Sequence, residues 1–381
     1  MEEIVKPLLA WYRKDHRILP WRQQKNPYYI WISEIMLQQT RVEAVKPYFE
    51  RFIQALPTVK DVAECPEEYL LKLWEGLGYY NRVRNIQKAA IQVQEQYGGQ
   101  LPPDYEKLKA LPGIGNYTAG AIASIAYDIP APAVDGNVLR VYARLLEDEE
   151  DILKQSVKTR VERELGKVIP KDSPGDFNQA LMELGAMVCV PNGQPKCECC
   201  PLNQFCRAYS SGRQMELPIK KKKGKRRIEK KTVLVIQDGE RVAVSKRGST
   251  GLLAGMYELP NLEGHRSEKE VLKWMTDGGM MPVRIQSVGE ARHIFSHVEW
   301  DMRGYAIKVA ALEESEQENL LFVEIEEAEK KYAIPAAFRA YTSYMNMRLG
   351  QESFSRENKI PEENVTGGNE SENIKYNSSL L

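Results

Sequence analysis

The chain has 381 residues, 43% of them hydrophobic and 28% charged, and its 53 basic residues equal its 53 acidic residues in number. A single hydrophobic core rarely grows beyond about 250–300 residues, so this length predicts two domains, and zero net charge means that any affinity for a polyanion must come from local patches. The first residues are too charged for a signal peptide, no apolar run could cross a membrane, and six cysteines in so long a chain do not indicate a secreted disulfide scaffold. We therefore expect a cytoplasmic protein with no membrane partner.

The first fifty residues are predicted to be mainly helical. A short amphipathic helix over 1–15 precedes a rigid aromatic loop, Leu19–Arg22. The Asn-Pro pair at 26–27 can cap a second helix, which we expect to continue to about Arg51. Glu34, Gln38 and Arg41 would then share one helix face.

Glu34 is the single carboxylate in the apolar segment YYIWISEIMLQQT. Exposure to solvent is the usual fate of a glutamate. A glutamate sheltered by these apolar neighbours would instead have a raised pKa, because desolvation disfavours the charged form. Glu34 is therefore a candidate general acid.

A glycine-containing loop, GLGYY at 76–80, interrupts the next helical stretch. Arg82 and Arg84 follow it at the start of another helix. Apolar and aromatic residues on such a turn, beside arginines, suit insertion into a nucleic-acid duplex. The alternative is that Leu77 and the tyrosines belong to the core, which we favour for Tyr80.

The segment LPGIG at 111–115 predicts a tight hairpin between two helices, spanning about 108–127. Glycines let the backbone approach a phosphodiester closely, and a helix N-terminus offers unsatisfied N–H donors to an anion. Asn116 is the expected cap of the second helix. A helix–turn–helix corner without a ligand is the alternative.

A proline-containing connector, IPAPAVDGN, follows the hairpin and leads to a further helix over 138–146. Proline disfavours helix at the residue before it, so the connector should be extended. It delivers a lone aspartate, Asp135, to a helix entrance.

Together, LPGIGNYTAGAI and PAVDGNV resemble the helix–hairpin–helix glycosylase superfamily, which includes endonuclease III. The bifunctional endonuclease III branch carries a lysine at the position of Tyr117, and a tyrosine there resembles the adenine DNA glycosylase (MutY) branch. The resemblance covers residues 1 to about 350. It implies an all-α glycosylase domain over 1–217.

The resemblance also implies roles for individual residues. Glu34 would protonate the departing adenine at N7, and Asp135 would stay ionised and stabilise the cationic sugar, with Tyr117 and Asn137 positioning both groups. Trp21 and Arg22 are implied to contact the flipped adenine, and Gly113 and Gly115 the DNA backbone. The residues implied to contact the opposite strand are Gln39, Thr40, Leu77 and Tyr79.

Four cysteines, Cys189, Cys197, Cys200 and Cys206, give the spacing C-x7-C-x2-C-x5-C. Four thiolates this close can hold zinc or an iron–sulfur cluster. The resemblance favours one structural 4Fe–4S cluster over 189–206. The family usually has six residues between the first two ligands, and Cys199 beside Cys200 leaves a swapped ligand open.

Residues 218–231, PIKKKKGKRRIEKK, contain nine basic residues and one acidic residue and predict an exposed linker. Contact with DNA phosphates and a solvated tether are compatible interpretations of this segment. Residues 349–381 are rich in Asn, Ser and Glu, and we expect them to be disordered.

From Thr232 the pattern alternates with period two, with an Asp-Gly turn at 238–239, a helix near 267–276 and strands near 283–290 and 300–311. Residues 232–348 resemble the α/β Nudix-like C-terminal domain of the same branch. The acidic helix RExxEExG of a Nudix hydrolase is missing, so we expect no nucleotide hydrolysis. The histidines at 293 and 297 could indicate a metal, but the resemblance makes Phe295, Ser296 and His297 an 8-oxoguanine-sensing loop.

The resemblance implies a monomeric adenine DNA glycosylase that flips adenine out of double-stranded DNA opposite 8-oxoguanine or guanine during base excision repair. Without a lysine at position 117 it should have little or no lyase activity. The alternatives are a glycosylase of the same superfamily for another base, such as a mispaired thymine, and a DNA-binding protein that has lost catalysis.

Overall fold

The structure is a computed structural model that describes residues 1–221, 226–310 and 320–356. Its first part is helical, as the sequence predicts. The α-helices are α1 Val5–Asp15, α2 Pro27–Leu37, α3 Val42–Ala55, α4 Val59–Glu64, α5 Glu67–Leu73, α6 Asn81–Tyr97, α7 Tyr105–Lys109, α8 Asn116–Tyr127, α9 Gly136–Leu146, α10 Gln155–Val168, α11 Pro174–Met187 and α12 Arg207–Ser210. Short 3-10 turns cover Glu2–Ile4, Pro20–Arg22, Cys197–Cys199 and Asn203–Phe205.

The helices enclose one hydrophobic core in which large aromatic side chains are fully buried. Phe52 and Trp74 meet edge to face with their ring centroids 6.0 Å apart, a favoured geometry for aromatic pairs. Helix α11 packs against α1, α8 and α9, and α2 packs against α8. These contacts bring the C-terminal end of α2 and the N-terminal ends of α8 and α9 to one cavity.

The predicted helix from residue 26 to about Arg51 is wrong, because it is broken between α2 and α3. Gln39 has a φ of 60°, which is left-handed rather than helical. The Arg82 guanidinium donates to three carbonyls at this break, those of Ile35, Met36 and Gln38, at 2.8, 3.1 and 2.6 Å. A side chain therefore satisfies carbonyls that another helical turn would have used, and Glu34 and Arg41 do not share a helix face.

The second part of the chain contains a seven-stranded sheet within the described residues. Its strands are β1 Arg227–Asp238, β2 Arg241–Lys246, β3 Tyr257–Glu258, β4 Asn261–Glu263, β5 Pro282–Ile294, β6 Val298–Val309 and β7 Leu320–Glu324. Strand order is β3-β2-β1-β6-β5, with β4 beside β1 and β7 beside β2. The β1–β6 pair is parallel and the other pairs are antiparallel.

Both faces of the sheet are buried. Val233 and Val235 of β1 face one core, and Leu234 and Ile236 face the other. Helix α13 Glu268–Asp277 covers the second face. The first face lies under α14 Ile325–Lys331, α15 Arg339–Thr342 and the 3-10 turns Ala336–Phe338 and Ser343–Met345. This α/β arrangement confirms the predicted fold class.

The described residues of the predicted linker 218–231 are exposed or half-buried, as predicted, but the two ends of the segment are attached to the domains. Its first residues are tied to the helical domain, since the Ile152 N–H donates to the Ile219 carbonyl at 3.2 Å. Residues 222–225 lie outside the described residues. Arg227–Lys231 already belong to β1 and pair with β6, so the strand begins before the predicted boundary at 232.

The predicted disordered tail begins too early at 349. Residues Gly350–Arg356 form a 3-10 helix, and the Gly350 N–H donates to Glu75 of the helical domain. Arg51 also packs over the ring of Phe354, with its guanidinium carbon 3.9 Å from the centroid. The rest of that tail, 357–381, lies outside the described residues. Among the described helices, none is both long and apolar enough to cross a membrane.

Candidate active site

A cavity of about 820 Å³ opens where the ends of α2, α8 and α9 meet α11. Predicted site residues from separate parts of the sequence line it: Arg22, Glu34, Gln39, Thr40, Gly115, Tyr117, Asp135 and Asn137. The cavity therefore brings both predicted catalytic carboxylates to one space.

Glu34 is buried on α2, with 6% of its surface exposed. Burial raises its pKa from 4.5 to about 7, against the lowering effects of the Tyr117 hydrogen bond and the nearby Arg22. The Tyr117 hydroxyl, on α8, donates to Glu34 Oε2 and also lies 3.6 Å from the sulfur of Met182. A carboxyl group with this pKa can hold a proton near neutral pH and donate it to a leaving group.

Asp135 is the N-cap of α9 and accepts hydrogen bonds from more donors than Glu34 does. The Val138 N–H donates to Oδ1 at 2.8 Å, and the Asn137 side-chain amide donates to Oδ2 at 2.7 Å. Burial is the dominant effect and raises the pKa of Asp135 above its usual value, although these donors and the nearby Arg140 offset part of the increase. The helix N-terminus also favours a negative charge at this position.

A third buried carboxylate, Glu183 of α11, was missed by the sequence analysis. Arg17 Nε donates to Glu183 Oε1 at 2.6 Å and Arg22 Nη1 donates to Oε2 at 2.9 Å. Burial raises the pKa of Glu183, but these hydrogen bonds outweigh it and hold the pKa below its usual value. The available signal was the same as for Glu34, one carboxylate in an apolar helical segment, FNQALMELG.

The hairpin has the predicted glycine turn, but its cap differs from the prediction. Gly113 has a φ of 77°, in the left-handed region that glycine adopts without strain. Helix α8 begins at Asn116, so Gly115 occupies the N-cap position and makes no side-chain hydrogen bond. Asn116 donates instead to Glu162 at 3.0 Å, which leaves the first N–H groups of α8 without a side-chain cap.

A second cleft of about 660 Å³ lies between the two domains. The loop at 76–80 lines one side, and the turn Phe295–His297, between β5 and β6, lines the other. Tyr79 is 46% exposed, and its hydroxyl lies 3.2 Å from Ser296 Oγ. Phe295 packs edge to face against Trp300 with centroids 4.9 Å apart. The turn is therefore held against the core at one end and against the helical domain at the other.

Two predicted contact residues are buried in the structure. Trp21 is only 3% exposed and packs edge to face against Phe49, with centroids 5.3 Å apart. Leu77 is 7% exposed, so the loop at 76–80 presents Tyr79 rather than Leu77 to solvent. Arg82, predicted to lie beside a duplex, instead donates to the carbonyls of Leu77 and Gly78 at 3.0 and 3.1 Å.

Comparisons with known proteins match both domains. Residues 32–171 match the HhH-GPD superfamily of base excision DNA repair proteins, and residues 232–344 match the NUDIX domain family. The chain is 28% identical to a solved thermostable thymine-DNA glycosylase with a TM-score of 0.50, over 55% of this chain and 97% of that one.

Curated relatives match over most of their length. The chain is 35% identical to the adenine DNA glycosylase of Mus musculus in an alignment 360 residues long that covers 79% of this chain and 69% of the relative. It is 34% identical to that of Buchnera aphidicola subsp. Baizongia pistaciae over 295 residues, covering 76% of this chain and 82% of the relative. The chain belongs to the adenine DNA glycosylase family. It is therefore a DNA glycosylase, as the sequence analysis predicts.

Members of the endonuclease III-like glycosylase families typically carry a 4Fe–4S cluster, and the cysteine loop of this chain has the matching donor chemistry. Cys189 follows the end of α11, and Cys197, Cys200 and Cys206 lie on or beside the 3-10 turns, all half-buried. Arg144 Nη1 donates to Cys189 Sγ at 3.3 Å, as suits a thiolate. Within the described ranges, no three His, Cys, Asp or Glu side chains already form a metal-binding group. The donor set fits a cluster, and binding would draw the thiolates together.

Cys199 differs from the other cysteines of this loop. Its side chain is exposed and its Sγ lies 3.4 Å from the Lys196 carbonyl. Burial and the neighbouring thiols Cys189, Cys206 and Cys197 raise the pKa of Cys200 to about 12. Cys200 is half-buried like the other predicted ligands, whereas Cys199 is exposed, which favours Cys200 over Cys199 as the fourth ligand.

Proposed function

We propose that this protein removes adenine that is paired with 8-oxoguanine or guanine in double-stranded DNA, by hydrolysing the N-glycosidic bond. The observation that carries the proposal is the pairing in one cavity of Glu34, with its pKa of about 7, and the N-capping Asp135. The adenine specificity of the curated relatives supports the choice of base.

Breaking the bond leaves two charges to manage. The departing adenine needs a proton, which Glu34 would supply at N7, and the sugar develops positive charge, which ionised Asp135 would stabilise. The two carboxyl groups suit different tasks because, among the described residues, Glu34 accepts a hydrogen bond from Tyr117, whereas Asp135 accepts from both Val138 and Asn137. An adenine must leave the base stack to enter this cavity.

We further propose that the enzyme is monofunctional. Tyr117 occupies the position at which endonuclease III-type enzymes carry a lysine, and its hydroxyl is bound to Glu34. A phenol cannot form the Schiff base that precedes strand cleavage. Two lysines, Lys158 and Lys220, line the cavity at other positions. Borohydride trapping on adenine-containing substrate is therefore a direct check for a Schiff base.

The second cleft is the proposed site that recognises the base opposite adenine. Phe295, Ser296 and His297 face Tyr79 across it. Gln39 and Thr40 line the catalytic cavity on the α2–α3 break, where they could contact DNA beside the flipped adenine. Phosphates of the strand that carries the adenine would approach the uncapped N-terminus of α8 at Gly113 and Gly115.

The cysteine loop is proposed to hold one 4Fe–4S cluster with Cys189, Cys197, Cys200 and Cys206 as ligands. The cluster would supply structural cross-linking rather than chemistry of the glycosidic bond. It would fix the loop that joins α11 to α12, and Arg144 of α9 already contacts this loop through the Val190 carbonyl at 3.0 Å.

Base release from defined duplexes tests the function. The purified protein is incubated with adenine:8-oxoguanine, adenine:guanine and thymine:guanine duplexes, and strand breaks are counted with and without alkali. We expect breaks at adenine that depend on alkali, and fastest release opposite 8-oxoguanine. Release of thymine instead would favour the alternative glycosylase, and no release from any duplex would favour a DNA-binding protein without catalysis.

A further inference from the structure

A buried ion pair lies at the junction of the two domains, next to the loop at 76–80 that lines the second cleft. Lys72 Nζ donates to Glu75 Oε2 at 2.7 Å, and each side chain is only 1% exposed. Lys72 also donates to the carbonyl of Tyr332, in the C-terminal domain, at 3.2 Å. A buried charge is costly unless it is paired and hydrogen-bonded. Both carboxylate oxygens of Glu75 therefore need hydrogen-bond donors.

Two backbone amides of the C-terminal domain complete these surroundings. The Ile334 N–H donates to Glu75 Oε1 at 2.7 Å, and the Gly350 N–H donates to Oε2 at 2.8 Å. The two donors lie before and after α15, which covers one face of the sheet. One carboxylate of the helical domain thus holds two separate segments of the other domain.

Glu75 also directly precedes the loop at 76–80 that carries Tyr79. Tyr79 in turn meets Ser296 of the opposite domain. The carboxylate therefore fixes the C-terminal domain against the same short piece of chain that forms one wall of the interdomain cleft. Directional hydrogen bonds from a charged group specify a position more narrowly than apolar packing does.

We propose that Glu75 is a positioning residue for recognition of the base opposite adenine. It would act by holding the loop at 76–80 and the Phe295–His297 turn at a fixed separation, without touching DNA itself. The inference rests on the proposed function, because it assumes that this cleft reads 8-oxoguanine.

A second interdomain carboxylate provides a matched control. Glu68, on the preceding helix α5, accepts from Lys246 of the C-terminal domain at 2.6 Å, but its side chain is 58% exposed. Exposed ion pairs contribute little. Glu68→Gln therefore removes an interdomain contact of the same type without disturbing the buried junction.

The test measures single-turnover adenine release by the full-length, cluster-containing protein from adenine:8-oxoguanine and adenine:guanine duplexes. For Glu75→Gln we expect the ratio of the two rates to fall by about tenfold, with release opposite guanine changed by less than about twofold. Glu68→Gln should keep the wild-type ratio. A Glu75→Gln protein with an unchanged ratio, or with both rates lowered equally, would overturn the proposal.

Two further variants keep the test decisive if Glu75→Gln does not fold. Gly350→Ala leaves the ion pair intact but places a Cβ 3.1 Å from the Glu75 carbonyl at a φ of 65°, so it should displace the Gly350 amide and lower the ratio in the same direction. When Ser296→Ala and His297→Ala are already present, neither Glu75→Gln nor Gly350→Ala should lower the ratio further. Independent, additive effects would contradict positioning. A wild-type protein that releases adenine equally fast from both duplexes would instead refute the proposed recognition of 8-oxoguanine by this cleft, and no adenine release at all would refute the proposed function.

Discussion

At the scale of single residues, the cavity contains two carboxyl groups, Glu34 and Asp135, whose surroundings affect their pKa values differently. Glu34 is desolvated on the apolar helix α2, and burial raises its pKa to about 7. Asp135 is only half-buried, and although desolvation still raises its pKa, the donors at the N-terminus of α9 counter part of that increase. A general acid must hold a proton, whereas a group that stabilises positive charge must be ionised. Two carboxyl groups that act on the same bond therefore need different environments.

Glu34→Gln should abolish adenine release and spare DNA binding. Glutamine keeps the size of the side chain but cannot donate the proton, and a positioned general acid contributes about a hundredfold or more to the rate. Single-turnover kinetics and gel-shift titrations on adenine:8-oxoguanine duplex measure the two properties. Glu95→Gln, an exposed substitution on α6, is the control, and full activity of Glu34→Gln would end the assignment of the acid.

The raised pKa of Glu34 also predicts a pH-dependent stability difference. Between 4.5 and about 7 the native state holds a proton that the unfolded state has released, so the stability contributed by this group falls as pH rises through that window. The rise of the Glu34 pKa from 4.5 to about 7 corresponds to a loss of about 3 kcal/mol in the free energy of unfolding at pH values above the raised pKa. Glu34→Gln avoids this cost.

Denaturant unfolding at several pH values measures the effect. The stability of Glu34→Gln relative to the wild type should increase steadily from about pH 5 to about pH 8 and then level off. A difference that does not vary with pH would mean that Glu34 has an ordinary pKa in the native state.

At the scale of elements, the hairpin between α7 and α8 depends on one glycine more than on the other. A Cβ at Gly113 would lie 2.7 Å from the Asn85 Cβ, at a φ of 77°. A Cβ at Gly115 would meet no atom within 4 Å, and φ at that residue is −93°. The turn therefore requires glycine at 113, whereas glycine at 115 leaves open space beside the cavity.

Gly113→Ala should lower the free energy of unfolding by about 1–3 kcal/mol, since it combines left-handed backbone strain with a steric contact. Gly115→Ala should leave stability unchanged. Thermal unfolding of both variants, compared with the wild type, checks the pair. Equal melting temperatures for all three proteins would show that the hairpin does not depend on its glycine at 113.

The cysteine loop is a second element with an internal control. Cys200→Ser should give a protein without iron, since Cys200 lies among the other predicted ligands, whereas Cys199→Ser should keep the cluster because Cys199 is exposed. Iron content and the brown colour of the purified protein are the measurements. The opposite result would make Cys199 the ligand, and zinc in place of iron would refute the cluster.

At the scale of the whole molecule, two domains with separate cores meet along a polar and apolar junction. Glu75 ties α5 and the loop at 76–80 to the C-terminal domain, Tyr79 meets Ser296, and residues 350–356 pack back against α3 through Arg51. The catalytic cavity is lined by the helical domain and by Lys220 of the linker, and it lies apart from this junction. Catalysis and recognition of the opposite base are therefore separable in principle.

Ser296→Ala combined with His297→Ala should lower the preference for adenine opposite 8-oxoguanine over adenine opposite guanine. Both side chains line the cleft rather than the catalytic cavity, so release opposite guanine should be nearly unaffected. The ratio of the two single-turnover rates is the measurement, and an unchanged ratio would show that the turn does not recognise 8-oxoguanine.

The sequence by itself determined the elements whose causes are local. The Gly113 turn, the N-capping Asp135 and the alternating strands were predicted because backbone preference, capping and burial periodicity act over a few residues. The same locality predicted Glu34 as a candidate acid, since its apolar neighbours are adjacent in the chain.

Only the tertiary structure decided the features that depend on distant partners. The break after α2 follows from Arg82, more than forty residues away, and the hydrogen bonds of Glu183 come from arginines near the N-terminus. Leu77 and Trp21 are buried by neighbours that no short segment contains, and residues 350–356 are ordered by contacts with Glu75 and Arg51. Local sequence sets what a segment prefers, but packing against remote side chains decides where each helix ends and which residues remain exposed.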